Sequence, residues 1–126
     1  MMLVTGGIAS GKRTYMHSLG YRASDMSVYV DDAYPVLLDA QELIRDADVD
    51  IALLADQVAD GKQAVAMVEV GLGIVPAAHE DRAWRDRAGL LARELASRSD
   101  VVVRMVCGIP VALKGELPQG GDTCRS

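Results

Sequence analysis

The chain has 126 residues, half of them hydrophobic and a quarter charged, a globular composition that excludes a wholly disordered chain and needs no disulfide scaffold. Its formal net charge of −5 argues against general nucleic-acid binding, which needs a basic face, but leaves room for one bound nucleotide. No apolar run approaches the roughly twenty residues of a membrane-spanning helix. The first residues carry no targeting pattern, so a cytoplasmic protein without membrane partners is expected.

Phe is absent and aromatics make up only 4% of the chain, so Val, Leu, Ile, Ala and Met must build the core. That favours aliphatic parallel strands packed on helices. In chain order, Met1-Met2-Leu3-Val4-Thr5 reads as a buried strand that stops at the tight turn Gly6-Gly7. Residues 12–19 suit a helix, which Gly20 can end. Residues 21–34 are polar and irregular, with at most a short strand over 27–30. Within them Asp31 and Asp32 read as turn residues on a solvated loop, although such a pair could serve a metal. Residues 35–39, Pro-Val-Leu-Leu-Asp, form a second strand with Pro at its tolerated first position.

A helix over 48–60 puts Ile51, Leu54, Ala55 and Val58 on one face, and Gly61 terminates it. Residues 64–70 are a third strand, and a long helix over 80–98 repeats Trp84, Ala88, Leu91 and Leu95 on one side. A fourth strand spans 101–107, where Arg104 marks a partly open face and Cys107 is expected to be a small buried hydrophobe. Residues 111–113 suggest a short last strand. Residues 116–126, with Cys124, are expected to be a disordered tail, leaving 1–115 as one nucleotide-binding domain. Strands alternating with helices predict an α/β, P-loop NTPase-like fold: a mostly parallel sheet flanked by helices.

Chemistry concentrates in Gly6-Gly7-Ile8-Ala9-Ser10-Gly11-Lys12, which has the spacing of a phosphate-binding loop between a strand and a helix. Glycines let successive N–H groups point inward, the helix start adds its own amides, and Lys12 can reach the terminal phosphates. Arg13 and Thr14 complete the expected nucleotide contacts. The residue after the lysine is normally Ser or Thr, whose hydroxyl binds Mg²⁺. Here it is Arg13, and Thr14 lies about 100° further round a helix. Arg13 is either a solvated residue or a substitute for part of the metal's charge. Asp39, closing its strand, is a candidate Mg²⁺ ligand or a helix N-cap. Glu69 is the lone charge of the run 64–70 and should have a partner; with Lys12 it is the candidate catalytic group. His17 and His79 are weak candidates, one beyond the loop and the other opening the long helix.

Taken together, the loop Val4 to Lys12, Val36-Leu37-Leu38-Asp39, Glu69-Val70-Gly71-Leu72-Gly73-Ile74-Val75-Pro76, Trp84-Arg85-Asp86-Arg87-Ala88-Gly89 and Cys107-Gly108-Ile109-Pro110 form an ordered series. It resembles the bifunctional adenosylcobinamide kinase/adenosylcobinamide-phosphate guanylyltransferase family of cobalamin biosynthesis. The resemblance implies ATP- or GTP-dependent phosphorylation of adenosylcobinamide, followed by GMP transfer through a guanylylated histidine, in a homo-oligomer. Departures from the family pattern fall on the site: Arg13 for Ser, Val68 for Asn, Ala92-Arg93 for Asn-Gln, and no histidine over residues 20–34. Three readings therefore stand at this point: a kinase that lacks the transferase half, a nucleotide-binding module without chemistry, or guanylyl transfer through His17 or His79.

Overall fold

The computed structural model describes residues 1–7, 10–69 and 79–118. Among these residues the order is β1 (Met2–Gly6), α1 (Lys12–Ser18), β2 (Met26–Ser27), β3 (Val36–Leu37), α2 (Ile51–Gly61), β4 (Ala64–Val68), α3 (His79–Arg98), β5 (Val101–Val106) and β6 (Ile109–Lys114). Every residue of β1 is buried, which requires a neighbour on each edge and a layer on each face. β4 and β5 supply the edges, both parallel to β1, with Thr5 opposite Met67 on one side and Arg104 on the other. The sheet runs β2-β3-β4-β1-β5-β6, parallel except for β6. This is the mostly parallel α/β sheet that the alternation of elements predicts.

Side chains alternate across the sheet, as strand geometry dictates. Leu3, Leu37, Val65 and Val102 pack on one side with Leu54 and Val58 of α2 and Leu91 and Leu95 of α3. Met2, Val4, Ala66 and Val103 face the other side, where Tyr15 and Met16 of α1 cover them. None of the helices described is long and apolar enough to cross a membrane.

Several boundaries differ from expectation for identifiable reasons. α2 starts at Ile51 instead of residue 48 because Asp50 caps it, accepting from the Leu53 N–H at 3.1 Å. β3 shrinks to two residues because Asp39 turns into the left-handed region and starts a 3₁₀ helix, Ala40–Ile44, that no periodicity announces. β5 stops at Val106. Cys107 and Gly108 then make a tight turn with φ of 51° and 80°, the positive pair that a hairpin's twist favours. Cys107 is therefore exposed, not buried as its apolar neighbours suggest, and the last strand becomes the antiparallel Ile109–Lys114.

Two long-range ties fix the loops. Gln41, buried in the 3₁₀ helix, accepts from the Val68 N–H at 3.0 Å, while the Trp84 indole donates to the Gln41 carbonyl at 2.8 Å. The Arg45 guanidinium lies 3.5 Å from the Trp84 ring centroid. Arg87 donates to the carbonyls of Asp46 and Val49, at 2.9 and 3.2 Å. The second tie is an ion pair. The fully buried Lys62 side chain lies 2.6 Å from Asp32 and donates to the Tyr34 carbonyl at 2.7 Å. Asp32 also accepts from the Ser27 hydroxyl and the Tyr34 N–H. It is thus a structural anchor, not a residue of a solvated turn.

The Lys62 ammonium, then Ser27 and the Tyr34 amide, hold the Asp32 carboxyl below its ordinary 3.8. A carboxyl depressed in the folded state stabilises the fold above the unfolded pKa, and that contribution is lost as pH falls through the folded one. Asp32→Asn should therefore lower the urea midpoint at neutral pH. As pH falls below about 4 the two midpoints should draw together, and a gap that does not change with pH would show that the Asp32 charge contributes nothing.

Candidate functional site

The site starts where β1 has to end. A Cβ on Gly6 would lie 2.4 Å from Ser10 Oγ and 2.8 Å from the Met105 carbonyl oxygen, and the second of these is backbone that cannot step aside. Only glycine lets the loop turn this close to β5. From there the Ser10 N–H reaches the Gly7 carbonyl at 3.3 Å, and the Gly108 N–H donates to the Ser10 carbonyl at 3.0 Å. The β5–β6 turn thus buttresses the loop from behind. Ile8 and Ala9, expected to contact nucleotide, lie outside the described residues.

α1 closes its first intrahelical bond only at Tyr15, whose N–H meets the Gly11 carbonyl at 2.9 Å. The amides of Lys12, Arg13 and Thr14 precede that ladder, the position from which helix-start N–H groups meet anions. Lys12 folds back over the loop, with Nζ 2.7 Å from the Gly7 carbonyl and 3.2 Å from Ser10 Oγ. Its ammonium thereby holds the concavity in which phosphate oxygens would compete for it. Desolvation lowers the Lys12 pKa from its ordinary 10.5, while the charges of Asp39 and Glu69 pull it back up. Two carboxylates that are 30 residues apart in sequence therefore act on one ammonium.

A cleft of about 460 Å³ is bordered by Ser10, Gly11, Lys12, Arg13, Thr14, Asp39 and Val68. Arg13 and Thr14 both line it, so the turn between them does not carry Thr14 out of the cleft. Asp39 has φ 55° and ψ 47°, a left-handed conformation costing a non-glycine residue roughly 1–2 kcal/mol. It stands at the N-cap of the 3₁₀ helix, yet its side chain makes no capping bond. The capping reading thus lacks its defining interaction. What remains is an exposed carboxylate beside the cleft. Together with the Thr14 hydroxyl it offers hard oxygen donors of the kind Mg²⁺ uses alongside phosphates and water. No group of three or more metal-ligating His, Cys, Asp or Glu gathers among the described residues. Protein donors here therefore fit an ion carried in with a nucleotide, and offer no closed cage.

Glu69 extends the β4 ladder, its N–H donating to the Gly6 carbonyl at 2.9 Å. Its carboxylate is 28% exposed and takes a two-point grip from Arg104, at 3.0 and 3.3 Å. The lone charges of β4's end and of β5 are therefore each other's partners. Beside them lies a smaller hollow of about 140 Å³, lined by Thr5, Met67 and Glu69 with Ala88, Gly89 and Ala92 of α3. His17 stands apart from the 460 Å³ cleft, its Nδ1 2.9 Å from the Tyr21 carbonyl. The His79 side chain lies outside what is described. Sequence reasoning missed Gln41 and Gly108 as supports of the site. Their bonds reach Val68 and Ser10, too far along the chain for any local pattern.

If this loop cradles phosphate, as its spacing predicts, Gly6→Ala should weaken nucleotide binding by about tenfold or more, equivalent to about 1.4 kcal/mol, in calorimetric titrations. An unchanged dissociation constant would mean that the loop tolerates displacement from β5.

A family model described as cobinamide kinase / cobinamide phosphate guanyltransferase matches residues 35–113, beginning after the Gly-rich loop and taking in Asp39, Glu69 and Arg104. The bifunctional adenosylcobalamin biosynthesis protein CobU of Salmonella typhimurium is 37% identical over 75 residues, 60% of this chain and 41% of that protein. The protein of the same description, CobP, from Pseudomonas aeruginosa is 44% identical over 48 residues, 38% of this chain and 28% of its own length. The matched stretches thus span less than half of either relative. Since the family match covers more than half of this chain, the protein belongs to the cobinamide kinase / cobinamide phosphate guanyltransferase family.

Proposed function

We propose that the chain binds ATP or GTP in the cleft between the Gly6–Gly7 turn and Asp39, and transfers the terminal phosphate to the hydroxyl of adenosylcobinamide or a related corrinoid. The observation that supports this reading is the cleft bordered together by Lys12, Thr14 and Asp39, with the Glu69 carboxylate in the adjoining hollow, in a member of this family. Phosphoryl transfer demands little covalent chemistry from a protein and much positioning and charge stabilisation. Lys12 exchanges its loop carbonyls for the terminal phosphate oxygens. Asp39, with Thr14, would hold Mg²⁺, which when bound neutralises charge on the phosphates. Glu69, steadied by Arg104, orients the acceptor hydroxyl. The hydroxyl oxygen bonds to the terminal phosphorus as the bridging oxygen leaves with the nucleoside diphosphate, and Glu69 receives the hydroxyl proton.

The guanylyl-transfer half is not part of this reading, because residues 20–34 hold no histidine and His17 is engaged with Tyr21 away from the cleft. Assembly into a homo-oligomer belongs to it, as does the lack of nucleic-acid and membrane partners. A second reading rests on Arg13, which borders the cleft where the family has a hydroxyl. In that case the chain binds nucleotide without turnover, its own guanidinium supplying the positive charge.

Mg²⁺ dependence separates the two. For the kinase, nucleotide affinity should need Mg²⁺, and Lys12→Ala should cost about 10²–10³-fold in phosphorylation of adenosylcobinamide, the scale for losing one charge-stabilising donor. Asp39→Asn, which tolerates the left-handed backbone, should keep the melting temperature and lose the Mg²⁺ requirement. Lys12-dependent binding that ignores Mg²⁺, with no phosphorylated corrinoid in a single turnover, would leave the binding module.

A further inference from the structure

β3 and β4 pair only at Val36–Ala64 and Leu37–Val65, because Asp39 turns the chain out of the strand while β4 runs on to Val68. Successive N–H groups of a strand point to opposite edges. The Glu69 N–H goes to the Gly6 carbonyl of β1, so the Val68 N–H faces the edge that β3 has left. Val68 is half-buried, and a peptide donor in that position needs an acceptor. A side chain supplies it: Gln41 Oε1 lies 3.0 Å from the Val68 nitrogen. The carboxamide stands in for the missing strand.

Gln41 is itself held from both ends. It is 5% exposed, between the fully buried Ala40 and Ile44 of the same 3₁₀ helix. Its carbonyl accepts the Trp84 indole N–H at 2.8 Å, and the Arg45 guanidinium lies over that ring. The turn before it is closed by the Glu42 N–H, which donates to the Asp39 carbonyl at 3.0 Å. Its backbone is thus tied to α3 and its side chain to β4.

This bond joins the two segments that carry the carboxylates of the site. Asp39 stands two residues before Gln41, and Glu69 directly follows Val68. Arg104 grips Glu69 from β5, on the far side of β1, whereas Gln41 reaches β4 from the side of β3. Gln41 borders neither the cleft nor the adjoining hollow, so it acts on both only through the backbone it holds. Where a reaction is governed by orientation, a displacement of about 1 Å can cost about a hundredfold in rate.

We infer that Gln41 is a positioning residue, whose hydrogen bond to Val68 sets the separation of Asp39 and Glu69 across the gap where β3 has ended. This rests on the kinase reading above and names what keeps its two carboxylates in register.

The test compares Gln41→Met, which removes the acceptor but keeps a chain of similar length, with Gln41→Glu, which keeps an acceptor in either protonation state. Both are assayed well below the lowest melting temperature of the set. Gln41→Met should shift the Mg²⁺ dependence of nucleotide affinity toward that of Asp39→Asn. It should also lower kcat for adenosylcobinamide phosphorylation about tenfold or more, with the acceptor KM within about twofold. Gln41→Glu should restore both, and in a Glu69→Gln background Gln41→Met should lower kcat no further. A lower melting temperature with both readouts unchanged would make Gln41 a structural support alone and overturn the inference, leaving the kinase reading intact. A change in only one readout, or a full additional loss in the Glu69→Gln background, would overturn it too. A wild type with neither Mg²⁺-dependent nucleotide binding nor phosphorylated corrinoid would overturn the kinase reading and this inference together.

Discussion

Everything at the site depends on how closely β1 approaches β5. A strand buried on both faces and paired on both edges can release its chain only at its carboxyl end, and there the Met105 carbonyl stands within 2.8 Å of where a Gly6 side chain would start. The loop is thus wedged between the sheet behind it and the helix in front. Its lysine returns to the loop's own carbonyls. Three strand ends meet around that wedge: Gly6 closes β1, Asp39 comes just after β3 and Glu69 just after β4.

Electrostatics then distributes the work. Asp39 on the cleft and Glu69 in the adjoining hollow both offset the desolvation of Lys12. Glu69 is gripped at two points by Arg104, which gives it a fixed direction. This arrangement suits a reaction governed by orientation. Asp39 makes no side-chain capping bond to the 3₁₀ helix and stands exposed at the border of the cleft.

Local pattern made the alternation of strands and helices legible in outline. β1, α2, β4 and α3 follow from apolar runs and from repeats such as Leu54/Val58 and Leu91/Leu95. At the Gly-rich loop, the turn at Gly6 and the helix from Lys12 fall where the spacing put them. What stayed hidden was made by contacts between distant residues. Trp84 looks like any helix-face aromatic until its N–H finds Gln41, and Arg104 looks like an interruption until Glu69 meets it. Cys107 misled because an apolar neighbourhood says nothing of the positive φ that sends the chain back as β6. Asp32 misled in the opposite sense, since a polar loop hides the buried Lys62 arriving from thirty residues later.

The left-handed backbone at Asp39 has an evolutionary consequence. Gly, Asn and Asp are the residues that occupy such a position at least cost, and of these only Asp carries a charge. A single nucleotide change in an aspartate codon gives either of the other two. Drift at this codon would therefore erase a charge beside the cleft while sparing the fold, leaving a stable descendant that keeps the architecture of its family and lacks the carboxylate that the proposed kinase uses.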